Sequence, residues 1–411
     1  MSRFAKALTA GTSAATLLCA TGYAEDTTEV LNGQINLNAQ VNAHGQVVVG
    51  HTGNVNMTAA GVGNQLDVET ASPHDVTSTQ ELGGFVSATA ETNGVAIDGT
   101  ATTASTAYGN SAVLDHYGDV DVSLSQSTAD GSSVFSGATL RLDSYAVGNI
   151  TAASAAANAV DTNGYYGSIV GGISQDSGAS VEARALVEAR TAGLGEFSAT
   201  AASASGNAIR SHGRESAVIL ATDQANRGTV RASSRVNAGG GGVFTTVATQ
   251  AQGNGLDIAT EWAYGEARGS QDNSGDTDAE SNVNIGNFDV DTVMVSSESL
   301  GNSAHLTNLG TDTFLGLDQT NTGNSRAIVR FDGGFGGEVI GSAAAFGNAT
   351  TSWGCQFCPD TTNQGVINQT NSGQVNATFQ SQYLTGWGTT GTATAVGNSA
   401  TFVTRDENSG Q

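Results

Sequence analysis

The chain has 411 residues and a formal net charge of −24, yet only 13% of its side chains are charged and 6% aromatic. Its 55 glycines, 2 prolines and mostly small side chains do not suit two or three ordinary globular cores. The acidic balance argues against nucleic acid as a partner. Lys6 is the only lysine, so a processed chain has no lysine nucleophile or Schiff base.

At the start, Arg3 and Lys6 precede a modestly apolar stretch, 7–20, and small residues around Gly22 and Ala24. These read as a secretory signal, residues 1–24, cut after Ala24. Lipidation at Cys19 fits less well, because Leu18 is large for the position before it. No later stretch is long and apolar enough to cross a membrane as a helix. Residues 25–402 then form one repetitive domain, and 403–411 a polar tail.

Two recurring phrases organise the domain. A small residue, any residue, then Gly-Asn ends at Asn64, Asn110, Asn207, Asn254, Asn302, Asn348 and Asn398, with a degenerate AAAN at Asn158. The steps of 46 to 50 residues are a repeat signature. A further copy at Asn149 falls off the period. About half a period after each phrase comes Gln, two to four residues, then Gly, at Gly84, Gly131, Gly178, Gly228, Gly275, Gly323 and Gly373. The markers divide each repeat of about 48 residues into halves of about 24, the length of one flattened coil. The expected fold is all-β: a right- or left-handed β-solenoid of about eight repeats, each two coils. About sixteen coils would span on the order of 75 Å.

Between the markers, period-two alternation predicts strands. Val230, Ala232 and Ser234 alternate with Arg231 and Arg235; Ala327, Val329 and Phe331 alternate with Arg326 and Arg330. The stretch Val181 to Gly193 has helical propensity. Its Val and Ala alternate with Glu182, Arg184, Glu188 and Arg190, however, at the same place in the repeat. A strand is expected there. Around Gly-Asn, small residues lie two and four before the Gly, as at Ala204 and Ala202. Apolar residues lie three and five after it, as at Leu256 and Ile258. That odd step would flip the face of a straight strand. Gly-Asn must therefore be a corner, with a left-handed backbone as the expected device. Stacking would align Gln and Asn in amide rows, two coils apart.

No catalytic, metal or cofactor constellation emerges. His44, His51, His74, His116, His212 and His305 are scattered. The tightest acidic cluster, Asp115 to Asp121, reads as a turn and an exposed strand face with Asp119 and Asp121 on one side. A polysaccharide-cleaving enzyme would gather its carboxylates. The stretch GGFGGEV at 333–339 lacks the Asp and the tandem copies of a calcium-binding repeat. Cys355 and Cys358 have no second pair for zinc and no strand-to-helix setting for redox work. In an oxidising compartment they predict a small disulfide loop. A non-enzyme is expected.

The signal, the length and the Gly-Asn repeats across residues 33–402 resemble the holdfast-anchor family HfaD of stalked alphaproteobacteria. QTNSGQVNA at 369–377 is similar to the shorter curlin repeats, which stack as a β-solenoid. The resemblance implies export across the inner membrane to the outer-membrane surface at one cell pole. It also implies holdfast polysaccharide as ligand, with a curlin-like partner and an outer-membrane secretion lipoprotein. Two alternatives come from the residues themselves. One is a self-assembling fibre subunit that pairs through open coil edges. The more remote one is a β-helix polysaccharide enzyme using Asp119 or Asp121.

Overall fold

The computed structural model describes residues 28–70, 74–354 and 361–403. The signal, Cys355, Cys358 and the tail beyond Val403 lie outside the described residues. The strands are β1 (Thr28–Thr52), β2 (Val55–Thr70), β3 (His74–Thr128), β4 (Ser133–Ser177), β5 (Ser180–Gly193), β6 (Phe197–Asn226), β7 (Val230–Gly240), β8 (Phe244–Glu261), β9 (Gly265–Asn273), β10 (Thr277–Leu309), β11 (Thr313–Asn321), β12 (Ser325–Trp353), β13 (Asn363–Asn371), β14 (Val375–Thr385) and β15 (Gly388–Val403). All fifteen join one sheet with parallel pairings, the pattern of a β-solenoid. The helix-prone segment is a strand, β5, as its alternation predicts.

Each residue pairs with the one a whole repeat later. Val30 lies beside Val76, Ser154 beside Ser203, Thr277 beside Ser325 and Ser325 beside Val375. One coil is therefore a full repeat of about 48 residues, which corrects the expectation of two coils per repeat. The stack is correspondingly shorter, roughly 35 Å for eight levels at the parallel-strand spacing, instead of 75 Å. The two sequence markers sit on opposite walls of one coil, so neither begins a new one.

The walls are close. Thr103 Oγ1 donates to Thr92 Oγ1 at 2.8 Å, and Ser281 Oγ donates across the core to the Ser296 carbonyl at 2.7 Å. Three apolar columns run up the interior. One holds Ile97, Leu140, Val187, Val236 and Phe331. The second is nearly all Ala and Val, including Ala88, Val134, Val181 and Val230. The third holds Leu114, Ile169, Ile209, Leu256 and Leu306. Small side chains suffice because every inner coil is roofed and floored by its neighbours.

Two amide ladders separate the second and third columns. Gln34, Gln80, Gln126, Gln175, Gln224, Gln271, Gln319 and Gln369 stack, each upper Nε2 donating to the lower Oε1 at 2.7–3.2 Å. On the facing wall the Gly-Asn asparagines from Asn64 to Asn398 stack, each lower Nδ2 donating to the upper Oδ1 at 2.7–2.8 Å. The second N–H of each amide crosses to a backbone carbonyl, as from Gln224 to Gly255 at 2.9 Å and from Asn207 to Ala225 at 2.7 Å. Both donors of the inner, buried amides are thus satisfied, which removes the penalty of burying them. The rows join adjacent coils, not every second coil.

Gly-Asn is the predicted phase break. Gly206 and Asn207 are both buried, as are Gly253 and Asn254, so two consecutive residues face inward. The expected left-handed backbone is absent. Positive φ among the described residues falls at Gly118, Gly131, Gly171, Gly195, Gly269 and Gly310, and at Tyr166, Glu215 and Trp262. The glycine is needed for space. A Cβ on Gly206 would lie 2.4 Å from Asn226 Oδ1 and 2.6 Å from the Gly253 carbonyl oxygen. In the one coil with alanine there, Ala157, the opposing station is Ser177, which pairs with Asn226 of the next coil. The smaller serine makes the room. The off-period Asn149 lies elsewhere on the coil, beside Ala101. It is fully buried, donating to the Leu194 carbonyl and accepting from Ser198 Oγ.

Candidate functional site

Because two residues in succession turn inward at the kink, the outer surface above them is drawn in as well. A groove of about 500 Å³ runs there across the coils. Its floor is made of small or polar residues on either side of the kink, such as Ala156 and Ala159, Ser205 and Ala208, Gln252 and Gly255. A second hollow of about 620 Å³ adjoins it and shares Ser154, Ser203 and Gln250. Its own floor continues through Ala152, Ala201 and Ala248.

The rim carries paired charge. Asp161, Arg210, Asp257 and His305 occupy one station on successive coils. Arg210 Nη1 lies 3.9 Å from Asp161 Oδ2, and His305 Nδ1 lies 3.2 Å from Asp257 Oδ1. The His305 contact holds the Asp257 carboxyl below its ordinary range, and the same contact raises the imidazole. Burial pushes Asp161 upward, with Arg210 opposing. Glu298, which accepts from Gln250 Nε2 at 3.2 Å, is also pushed up by burial. In-register stacking would set like charges one coil apart, and arginines interrupt those rows. Arg141, for instance, bridges Glu91 below and Glu188 above.

One edge of the stack carries aromatic rings. Its turns place Gly118, Tyr166, Glu215, Trp262 and Gly310 in left-handed backbone, one per coil. Tyr166 and Trp262 are 65% and 66% exposed despite that strain. Tyr117 and Tyr165 stack with centroids 5.1 Å apart. Trp262 lies against Gly310, where a Cβ would come within 2.7 Å of Cε3. Amphipathic rings held in water offer an apolar face beside a polar edge.

The sequence clusters that might have carried chemistry disperse. Asp119 and Asp121 share the exposed face as expected, with Val120 and Val122 buried. Asp119 accepts from Ser168 Oγ and Asp115 from Asn163 Nδ2, both at 2.8 Å and both from the next coil. His116 is buried against the Gly118 carbonyl, and burial lowers its pKa. Among the described residues no three His, Cys, Asp or Glu side chains converge as metal ligands. Sequence reasoning missed the groove and the aromatic edge. The residues of the first are ordinary Ala, Ser and Gln, and the second depends on left-handed stations filled by Gly, Tyr, Glu, Trp and Gly in turn.

The model of the family holdfast attachment protein D (HfaD) matches residues 49–324. The chain belongs to that family. The match covers about two thirds of the chain, from the end of β1 to the corner before β12, and includes most of the groove and the aromatic edge. Membership gives a role in holdfast attachment and a place at the cell envelope. No curated protein and no solved structure matches the chain.

Proposed function

We propose that the protein tethers holdfast polysaccharide to the cell surface as a non-enzymatic, multivalent anchor. The groove above the Gly-Asn kink carries this reading. It repeats the same small floor and polar rim on successive coils, and so presents many weak hydrogen-bonding stations at a fixed spacing. Summed over one rigid stack, such contacts give avidity without a deep pocket. The exposed rings at the edge would add stacking against the apolar faces of sugar rings. The signal-like start supports export across the inner membrane to the outer-membrane surface. Polar placement, a curlin-like partner and a secretion lipoprotein rest on the family resemblance. Deleting the gene and following the adhesive tests the role. The adhesive should be made but shed into the medium; adhesive that stays on the cells, or is never made, contradicts it.

A further inference from the structure

We infer that the protein assembles end to end, the last coil of one copy pairing with the first coil of a second. Among the described residues the last coil, β13 to β15, has a neighbour below and none above. Its inward residues Val375, Ala377 and Phe379 are only partly buried, whereas Ser325, Ala327 and Val329 beneath them are fully buried. Backbone direction repeats from coil to coil. The N–H of Val230 donates to the Asp276 carbonyl, that of Thr277 to Asn324 and that of Ser325 to Gln374, all at 2.8–2.9 Å. The next residue at that station is Val375, so its N–H points out of the stack. Natural proteins blunt open edges with charge or proline. Residues 361–403 contain no Asp, Glu, Lys, Arg or Pro, although the chain carries 38 acids.

The ladder ends select a second copy of this chain. At the top, among the described residues, Gln369 Oε1 has no glutamine above it to accept from, and Asn398 Nδ2 no asparagine above to donate to. At the bottom, among the described residues, Gln34 Nε2 donates to the Gln65 carbonyl at 2.7 Å and to no glutamine, and Asn64 Oδ1 has no asparagine below it. Within the chain the upper glutamine gives downward and the lower asparagine gives upward. Stacking a first coil on a last coil continues both ladders with the same polarity.

A third ladder makes the match specific. Asn226, Asn273, Asn321 and Asn371 stack at 2.7–2.8 Å, again with the lower Nδ2 donating. Below Asn226 the same station holds Ser177 and Thr128, and Leu82 pairs with Asn36 of the first coil. Among the described residues Asn36 therefore has no amide neighbour at this station; its Nδ2 donates to the Gly63 carbonyl at 3.1 Å. Its Oδ1 is placed to receive Asn371 Nδ2 from a copy beneath. The first coil thus carries the residue that the last coil needs and its own neighbour does not.

Sedimentation velocity and negative-stain microscopy on the purified protein test this. Wild type should form unbranched filaments, faster in salt because the subunits are acidic, with an axial subunit repeat of roughly 38 Å, eight coil spacings. Val375→Pro removes an outward N–H and fixes φ, and Asn36→Leu copies the residue above it at the loss of the bond to the Gly63 carbonyl. Both should keep the wild-type circular dichroism, with at most a small drop in melting point, and stay monomeric, with polysaccharide binding intact. Should Val375→Pro melt early, Asn36→Leu decides. Wild type that stays monomeric at every concentration, or filaments that Asn36→Leu leaves undiminished, would overturn the inference.

Discussion

Gln126 donates from Nε2 to Oε1 of Gln80 at 2.8 Å across 46 residues of chain. That bond states the architecture: residues one full repeat apart are neighbours, and the interior is held as much by amide rows as by apolar columns. Because the rows are buried, each rung depends on the rungs above and below it.

Replacing a middle rung should therefore cost more than replacing an end one. Asn207→Leu strands Asn158 Nδ2, Asn254 Oδ1 and the Ala225 carbonyl. Each buried unsatisfied group costs about 1–3 kcal/mol, so three of them should cost at least about 3 kcal/mol. Asn398→Leu, on the open last coil, should cost about 1 kcal/mol or less. Denaturant melts of the two variants compare them directly. Equal losses would mean that the ladder is incidental.

The kink glycine should be coupled to the asparagine that faces it. Gly206→Ala places a Cβ 2.4 Å from Asn226 Oδ1 and should destabilise by about 1–3 kcal/mol through overpacking. In an Asn226→Ser background the same change should cost less, because that pair reproduces Ala157 with Ser177. Gly33→Ala, with nothing within 4 Å, should be nearly neutral. A double-mutant cycle read by thermal melting gives the coupling; strict additivity would refute the contact with Asn226 and leave only that with the Gly253 carbonyl.

The extent to which the sequence reveals this fold follows from the same residues. Alternation in Val230, Ala232 and Ser234 exposes the strands, and the odd step around Gly253 and Asn254 exposes the kink. Periodicity does not say which residues pair. A Gly-Asn corner and a Gln-to-Gly corner half a period apart look like two equivalent turns of short coils. They are the facing bends of one long coil, as the bond from Gln224 Nε2 to the Gly255 carbonyl shows. The role of the glycine was likewise hidden. Its close neighbour, Asn226, is twenty residues further along the chain, and only the closing of the walls brings the two together.

The groove rim should titrate. His305 lies above its ordinary value of 6.5 and Asp257 below its 3.8, each because of the other. The histidine's contribution is whole below 6.5 and is lost as pH rises through the raised value. The aspartate's is whole above 3.8 and is lost as pH falls through the lowered one. The pair is therefore strongest between roughly pH 4 and 6.5, and weak in absolute terms because both groups are about half exposed. An NMR titration should place His305 above 6.5 in wild type. In Asp257→Asn it should fall below that value, because only burial then acts on the ring. An unchanged histidine in the variant would show that the pair does not form.

The central claim is that the groove above the Gly-Asn kink holds the holdfast polysaccharide. Filling it tests this most directly. Ser205→Trp with Ala208→Trp places two large rings in the groove on one coil, pointing outward and away from the amide ladders. Ser233→Trp, on the outer face of the other wall, is the matched control. The measurement is the fraction of adhesive retained on cells that display each variant at equal surface level. The account predicts shedding from the groove-filled variant and normal retention by the control. Retention by the groove-filled variant equal to that of wild type would contradict it.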